Sequence, residues 1–239
     1  MSSKPKHKIL LVEDEEAIRT GLVDVLVFHG YDVVAVADGS AGLARALAEP
    51  FDLLILDVML PGLDGFSICN EVRKTDRDVA IVMLTAKTSD EDIINGLTLG
   101  ADDYVGKPFS VRQLMLRVEA VLRRFRKHQD LPRKLTIGRL VIDLANLNGA
   151  RPEDKEPIDF SRREIELLCY LHSHSARPVT REELLDQVWG YARANNIETR
   201  TVDIHIAKLR KKIELDARNP AHLVTVRGEG YRLIGASEE

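Results

Sequence analysis

The chain has few cysteines, few aromatic residues and no long apolar run. Its two cysteines, Cys69 and Cys169, lie in different halves of the 239-residue sequence. So low a cysteine content argues against a disulfide-stapled secreted domain and favours a reducing compartment. The first apolar run, Ile9–Val12, is too short for a signal peptide, and a membrane span needs about 20 apolar residues. The sequence therefore predicts a cytoplasmic protein that does not enter a membrane.

The charges are distributed unevenly along the chain. Residues 1–122 contain 12 Lys+Arg and 20 Asp+Glu, whereas residues 123–239 contain 22 and 18. The length suits two domains. A basic half favours binding to a polyanion such as nucleic acid, although a solvated surface can carry either sign. We predict domains at 1–122 and 134–239, joined by a basic, polar linker at 123–133.

The two halves differ in their secondary-structure pattern. In the first, short apolar segments ("KILLV", "YDVVAV", "FDLLIL", "AIVMLT", "DYVGK") alternate with amphipathic helical segments. This alternation predicts an α/β fold, a doubly wound five-stranded parallel sheet with strand order 2-1-3-4-5. The second half begins with alternating strands, continues with three helical patterns and ends in two short strands, which predicts an α+β domain.

Polar residues follow the predicted strands of the first half. Glu13 and Asp14 come after the first strand, Asp57 after the third, Thr85 after the fourth and Lys107 after the fifth. Because parallel strands end at one edge of a sheet, we expect these side chains to form one pocket. Crowded carboxylates suit Mg²⁺, and Lys107 and Thr85 suit phosphoryl oxygens. The pocket is therefore predicted to receive a phosphoryl group on a carboxylate.

The motifs "LLVEDEE", "DLLILDVMLPGLDG", "MLTA" and "GADDYVGKPF" resemble those of a response-regulator receiver domain. The resemblance implies that a sensor histidine kinase phosphorylates Asp57. It also implies Mg²⁺ ligands at Asp14, Asp57 and the backbone carbonyl of Met59, with Glu13 contributing through water.

The same resemblance assigns a switch. Thr85 would move toward the phosphoryl group, Lys107 would neutralise its charge, and Tyr104 would turn inward as Thr85 moves. The Lys107–Pro108 bond is commonly cis in the family, which offers a way to aim the lysine.

The segment "RTVDIHIAKLRKKIE" predicts a helix that buries Val202, Ile206, Leu209 and Ile213. Together with "LVTVRGEGYRL", it resembles the recognition helix and wing of an OmpR/PhoB-type winged-helix domain that binds double-stranded promoter DNA. The implied DNA contacts are Arg200, Thr201, His205, Lys208, Lys212 and Arg227. Among them, Lys208 is the candidate for base contact. The loop 190–198 aligns with a segment that contacts RNA polymerase in some relatives, and a plain surface connection is the alternative interpretation.

Active relatives form homodimers through an apolar patch ringed by ion pairs across a two-fold axis. The implied interface residues are Ile94, Leu97, Asp102, Asp103, Met115, Arg117 and Arg124. Two pairs usual in the family are absent, because Ile93 and Gln113 carry no charge and Thr98 faces Glu119.

Two other functions stay open at this point. A haloacid-dehalogenase-like phosphatase also uses an Asp nucleophile and Mg²⁺, but it needs a second acid two residues later, where this chain has Met59. An orphan regulator would bind DNA without being phosphorylated. The preferred hypothesis is a transcription factor, not an enzyme, that is controlled by phosphorylation.

Overall fold

The computed structural model describes residues 6–85, 100–124, 134–190 and 199–238, without the side chains of 123, 124, 199 and 200. The chain divides into two compact units, Met1–Arg123 and Arg124–Glu239. Within the described ranges, no helix has both the length and the apolar character needed to cross a bilayer.

The first unit contains five strands and four described helices. They are β1 (Lys8–Val12), α1 (Glu16–Phe28), β2 (Asp32–Val36), α2 (Gly39–Ala48), β3 (Leu53–Asp57), α3 (Gly65–Thr75), β4 (Ala80–Thr85), β5 (Asp103–Gly106) and α4 (Val111–Arg124). The strands form one parallel sheet in the order β2-β1-β3-β4-β5, which confirms the predicted topology. Every residue of β3 and β4 is buried, as expected for strands covered on both faces.

A glycine lets α3 begin directly against the end of β3. A Cβ atom at Gly65 would lie 2.1 Å from the carbonyl oxygen of Asp57, so only glycine fits without a backbone shift. The Asp64 side chain caps the helix by accepting a hydrogen bond from the Ser67 N–H at 2.9 Å. The turn after Asp57 is thereby held close to the strand.

The second unit contains an antiparallel sheet, helices and a hairpin. Its elements are β6 (Lys134–Ile137), β7 (Leu140–Asp143), β8 (Asn148–Ala150), β9 (Ile158–Asp159), α5 (Arg162–Ser173), α6 (Arg181–Leu184), a π-helical turn (Leu185–Trp189), α7 (Thr199–Ile213), β10 (Leu223–Val226), β11 (Gly230–Leu233) and β12 (Ala236–Glu238). The sheet order is β12-β6-β7-β8-β9, and β10 pairs with β11. This α+β architecture agrees with the prediction.

Helix α7 buries one more face than the sequence pattern predicts. The stripe of Val202, Ile206, Leu209 and Ile213 is in the core, as predicted. However, Thr201 is also buried, and His205 is only 1% exposed. The His205 ring packs edge-on against Trp189 at 5.0 Å, and its Nδ1 bonds the carbonyl oxygen of Thr201 at 2.9 Å. The expectation that these two side chains lie on a DNA-facing surface is therefore wrong for this structure.

The burial of His205 predicts a pH-dependent stability. Burial lowers the pKa of His205 to about 4, below the value of about 6.5 expected in the unfolded chain. Protons therefore bind the unfolded state preferentially as pH falls below 6.5, and stability decreases. We expect the second unit to lose about 1 to 2 kcal/mol from this group between pH 7.5 and pH 5. Urea unfolding followed by fluorescence of Trp189, the single tryptophan, measures the loss.

His205→Phe is the control, because it keeps a ring against Trp189 without a titrating group. Its stability should fall less over the same pH interval. An equal fall in the wild type and the variant would contradict the assignment.

Candidate functional site

Three carboxylates meet at the carboxyl edge of the parallel sheet. Glu13 and Asp14 follow β1, and Asp57 ends the neighbouring strand β3. One oxygen atom from each residue lies within 4.8 Å of the other two. Glu13 and Asp57 are buried and Asp14 is exposed, so the cluster opens to solvent on one side. The structure therefore brings together the acidic residues that the sequence pattern placed in one pocket.

Lys107, which follows β5, binds this acidic cluster. Its Nζ donates to Asp57 Oδ2 at 2.6 Å and to Glu13 Oε1 at 2.9 Å. A longer contact of 3.5 Å reaches Glu15 Oε1, a partner that the sequence analysis missed although it belongs to the acidic run "EDEE". Burial alone would lower the pKa of Lys107, but the hydrogen bonds and charges of Asp57 and Glu13 raise it. Lys107 therefore carries a positive charge at the centre of the site.

The Glu13 carboxylate is incompletely satisfied by the residues that the structure describes. Burial raises its pKa to about 7, the Lys107 hydrogen bond opposes that effect, and the negative charge of Asp57 adds to it. Its second oxygen, Oε2, is buried with no hydrogen-bond partner in the described structure. A divalent cation or its bound water would satisfy this oxygen and lower the repulsion. The donor set, all carboxylate oxygens, fits Mg²⁺.

The other predicted receiver residues surround the cluster. Thr85 is buried at the end of β4, and its carbonyl oxygen accepts from the Lys107 N–H at 2.6 Å. The Met59 N–H donates to Asp57 Oδ1 at 3.0 Å, while the Met59 side chain is exposed. Tyr104 is buried in β5, with its ring centroid 6.4 Å from that of Phe66. The Lys107–Pro108 bond is cis, as the resemblance implied.

In the second unit, two of the predicted DNA-contacting lysines point toward a buried carboxylate. Lys212 Nζ donates to Glu164 Oε2 at 2.6 Å, and Lys208 Nζ lies 3.5 Å from Glu164 Oε1. Their side chains are 22% and 12% exposed. Burial alone would raise the pKa of Glu164, but the charges of both lysines lower it. These lysines hold α7 against α5.

Other basic residues of the second unit face solvent. Arg227 is exposed in the turn between β10 and β11, and Lys211 is exposed on α7. The side chain of Arg200 lies outside the described part of the chain, as do residues 191–198 of the segment aligned with a polymerase-contacting loop. The hairpin turn and the outer side of α7 thus each carry a described basic group that is exposed to solvent.

The predicted charged dimer residues whose side chains the structure describes are already bonded within the chain, and the apolar residue Met115 is buried. Asp102 Oδ2 accepts from Arg73 at 2.9 Å and from the Ile81 N–H at 2.8 Å. Arg117 Nη1 donates to both carboxylate oxygens of Asp103 at 2.8 and 3.0 Å. Met115 is 5% exposed. The remaining predicted positions, Ile94, Leu97 and the side chain of Arg124, lie outside the described residues.

Comparisons with known proteins agree with the two units. The response regulator receiver domain model matches residues 9–119, and the model for the C-terminal domain of transcriptional regulatory proteins matches residues 155–233. The chain is 42% identical over 234 residues to the alkaline phosphatase synthesis transcriptional regulatory protein PhoP of Bacillus subtilis, with 95% of this chain and 96% of PhoP covered.

Two solved structures are similar along nearly the whole chain. A RitR mutant has a TM-score of 0.72 at 30% identity, with 98% of this chain and 100% of RitR covered. The response regulator DrrB, described as a Thermotoga maritima OmpR/PhoB homologue, has a TM-score of 0.52 at 31% identity, with 96% of this chain and 99% of the DrrB chain covered.

These relatives argue against the phosphatase considered from the sequence. A haloacid-dehalogenase-like phosphatase would need an acid where this chain has Met59, and the two matched domains are a response regulator receiver domain and a transcriptional regulatory domain. The relatives are named as regulators of transcription, not as enzymes. The chain belongs to the OmpR/PhoB-type two-component response regulators, in which a receiver domain precedes a DNA-binding domain.

Proposed function

We propose that Asp57 accepts a phosphoryl group from a sensor histidine kinase and that this event controls binding to promoter DNA. The observation that carries the proposal is the contact of Lys107 with both Asp57 and Glu13 at the edge of the sheet. A nucleophilic carboxylate and a cation for the incoming oxygens are thereby already side by side. The compartment would be the cytoplasm, where a kinase and the chromosome are both accessible.

In the proposed reaction, one Asp57 oxygen attacks the phosphorus and the bond to the donor breaks. The electron pair of the broken bond returns to the donor, the negative charge of the acyl phosphate lies on the phosphoryl oxygens, and Lys107 moves its hydrogen bond to one of them. The Thr85 hydroxyl donates to another. Tyr104, which already lies inside in this structure, would be held there by the new position of Thr85.

The acidic residues have a second proposed role in this reaction. Asp14, Asp57 and the Met59 carbonyl would hold Mg²⁺ directly, and Glu13 would hold it through water. Bound Mg²⁺ would neutralise charge that develops on the phosphoryl oxygens. The unpartnered Glu13 Oε2 supports this assignment.

The second unit is the proposed output. Helix α7 would enter the major groove, and the β10–β11 hairpin would reach the backbone beside it. Arg227, Arg200 and Lys211 are the proposed phosphate contacts, and Lys208 would reach a base only after leaving Glu164. Residues 123–133 would link the domains, and contact of the loop 190–198 with RNA polymerase remains a proposal.

Asp57→Asn should reduce labelling by acetyl phosphate or a cognate kinase to background, because the amide is a poor nucleophile of similar volume. Chelation of Mg²⁺ should do the same to the wild type. Phosphate-affinity electrophoresis measures the product. Asp64→Asn is the control, since Asn also caps helices and Asp64 lies on the same loop. Undiminished labelling of the Asp57 variant would show that another residue is the acceptor, and no labelling of the wild type would favour the orphan-regulator alternative.

Arg227→Ala should weaken specific and random DNA binding to a similar extent and reduce the salt slope by about one, because a phosphate contact is lost. Fluorescence anisotropy at several fixed salt concentrations measures both. Arg139→Ala is the matched control, because Arg139 is an exposed arginine in the turn between β6 and β7. Equal salt slopes for the wild type and the Arg227 variant would contradict the proposed phosphate contact of the hairpin turn.

We expect the phosphate mimic beryllofluoride to dimerise the full chain, with little change between low and high salt. Exposed ion pairs contribute about 0 to 1 kcal/mol each, and two of the family's pairs are absent here. Analytical ultracentrifugation decides the question, with Asp57→Asn as the unresponsive control. A dimer that dissociates as salt rises, or no dimer at any salt, would contradict a mainly apolar interface.

A further inference from the structure

Arg19 lies beside the acidic cluster but contacts its backbone. The side chain belongs to the first turn of α1 and reaches back toward the end of β1. Its Nη1 donates to the carbonyl oxygens of Glu13 and Asp14, both at 2.8 Å. One guanidinium nitrogen thus holds two consecutive peptide groups, and these belong to the two adjacent carboxylate residues of the cluster.

The segment that joins β1 to α1 is restrained from both sides. The Glu13 N–H donates to the Val36 carbonyl oxygen of β2 at 3.1 Å. The Glu15 N–H contacts Glu13 Oε1 at 3.4 Å. Backbone carbonyls that leave a strand need new partners, and Arg19 supplies one to each of the two. With these bonds in place, the peptide planes on both sides of Asp14 have a fixed orientation.

This restraint matters because Mg²⁺ tolerates little deviation in its coordination. It requires near-octahedral geometry at about 2.0 to 2.1 Å, so its ligands must be presented from well-fixed backbone. Groups that orient metal ligands without touching the metal typically change affinity by about 10- to 100-fold when removed. Within the described part of the chain, the Arg19 hydrogen bonds go to the backbone of the ligand residues, which is the position of such an orienting group.

We propose that Arg19 is a positioning residue that fixes the β1–α1 segment so that Glu13 and Asp14 can hold the divalent cation. The inference rests on the proposed Mg²⁺ site. The proposed site would then require Arg19 in addition to the residues of the acidic cluster, Thr85 and Lys107. The guanidinium does not bind the cation or the phosphoryl group in this assignment.

The sign of the effect separates positioning from simple electrostatics. Arg19 carries a positive charge near the site, and a positive charge disfavours the approach of a cation. If its charge alone mattered, a neutral substitution would strengthen Mg²⁺ binding. If Arg19 positions the segment, the same substitution weakens Mg²⁺ binding, because the lost orientation of the ligands costs more than the removal of a repelling positive charge gains.

The experiment is an NMR titration of the full-length, unphosphorylated protein with MgCl₂. The amides of Glu15 and Met59 are the reporters, because they donate to Glu13 and Asp57 respectively. Arg19→Met should bind Mg²⁺ about 10-fold more weakly than the wild type. Arg19→Lys, which keeps a charged donor, should recover part of the loss. Arg45→Met is the control, since Arg45 is an exposed arginine on α2 that pairs with Glu49. The Mg²⁺ affinity of this variant should equal that of the wild type.

The outcomes are distinguishable. Equal or tighter binding by Arg19→Met would overturn the positioning role while leaving the metal site intact. No Mg²⁺-dependent shifts in the wild type would overturn the proposed site and this inference with it. The metal-free spectrum of each variant reports its fold, and if Arg19→Met is unfolded, Arg19→Gln makes the same charge change with a shorter donor. An affinity of Arg19→Gln equal to that of the wild type would then overturn the inference.

Discussion

The contact of Lys107 with two buried carboxylates is the interaction on which the receiver site depends. Asp57 and Glu13 are almost fully buried at the ends of neighbouring strands, and without a cation their charges would repel each other in a poorly solvated space. One ammonium group cannot balance three carboxylates, and Glu13 keeps a buried oxygen that has no partner among the described residues. Lys107 therefore stabilises the site but leaves an excess of negative charge, which favours binding of a divalent cation. The cation and Lys107 together favour phosphoryl oxygens.

The parts of this site that could be predicted from the sequence are those determined by strand ends. Asp57 and Lys107 meet because parallel strands finish at one edge of the sheet, and the apolar runs before them mark where each strand stops. Arg19 was not predicted, because its partners are backbone carbonyls, which no residue pattern identifies. A weak signal was present: a basic residue in the first turn of a helix is disfavoured by the helix dipole, so its position needs another explanation.

The DNA-binding unit shows a different limit of sequence patterns. Helical periodicity identified the buried stripe of α7 correctly, but it treated the adjacent stripe as surface. His205 is buried by Trp189, and Lys212 is bound by Glu164, and both partners come from other segments of the chain. Periodicity describes one helix and cannot show how many sides its neighbours cover. Breaking a buried ion pair by removing one partner typically costs about 3 to 5 kcal/mol, so Glu164 and its lysines constrain the position of α7 against α5.

The ion pair between Asp103 and Arg117 limits what could drive the proposed dimerisation. A ligand or modification shifts an equilibrium only through interactions that differ between the two states. Because Arg117 already donates two hydrogen bonds to Asp103 within the chain, pairing across a dimer would replace one buried contact with another and yield little net free energy. Shifting a population from 1:99 to 99:1 needs about 5.5 kcal/mol. Apolar burial, at about 25 cal/mol per Å², would supply that with roughly 220 Å² of state-dependent surface. In the proposed dimer, a phosphoryl group would therefore act mainly by exposing or reshaping apolar surface, because exchange of the existing ion pairs would contribute too little.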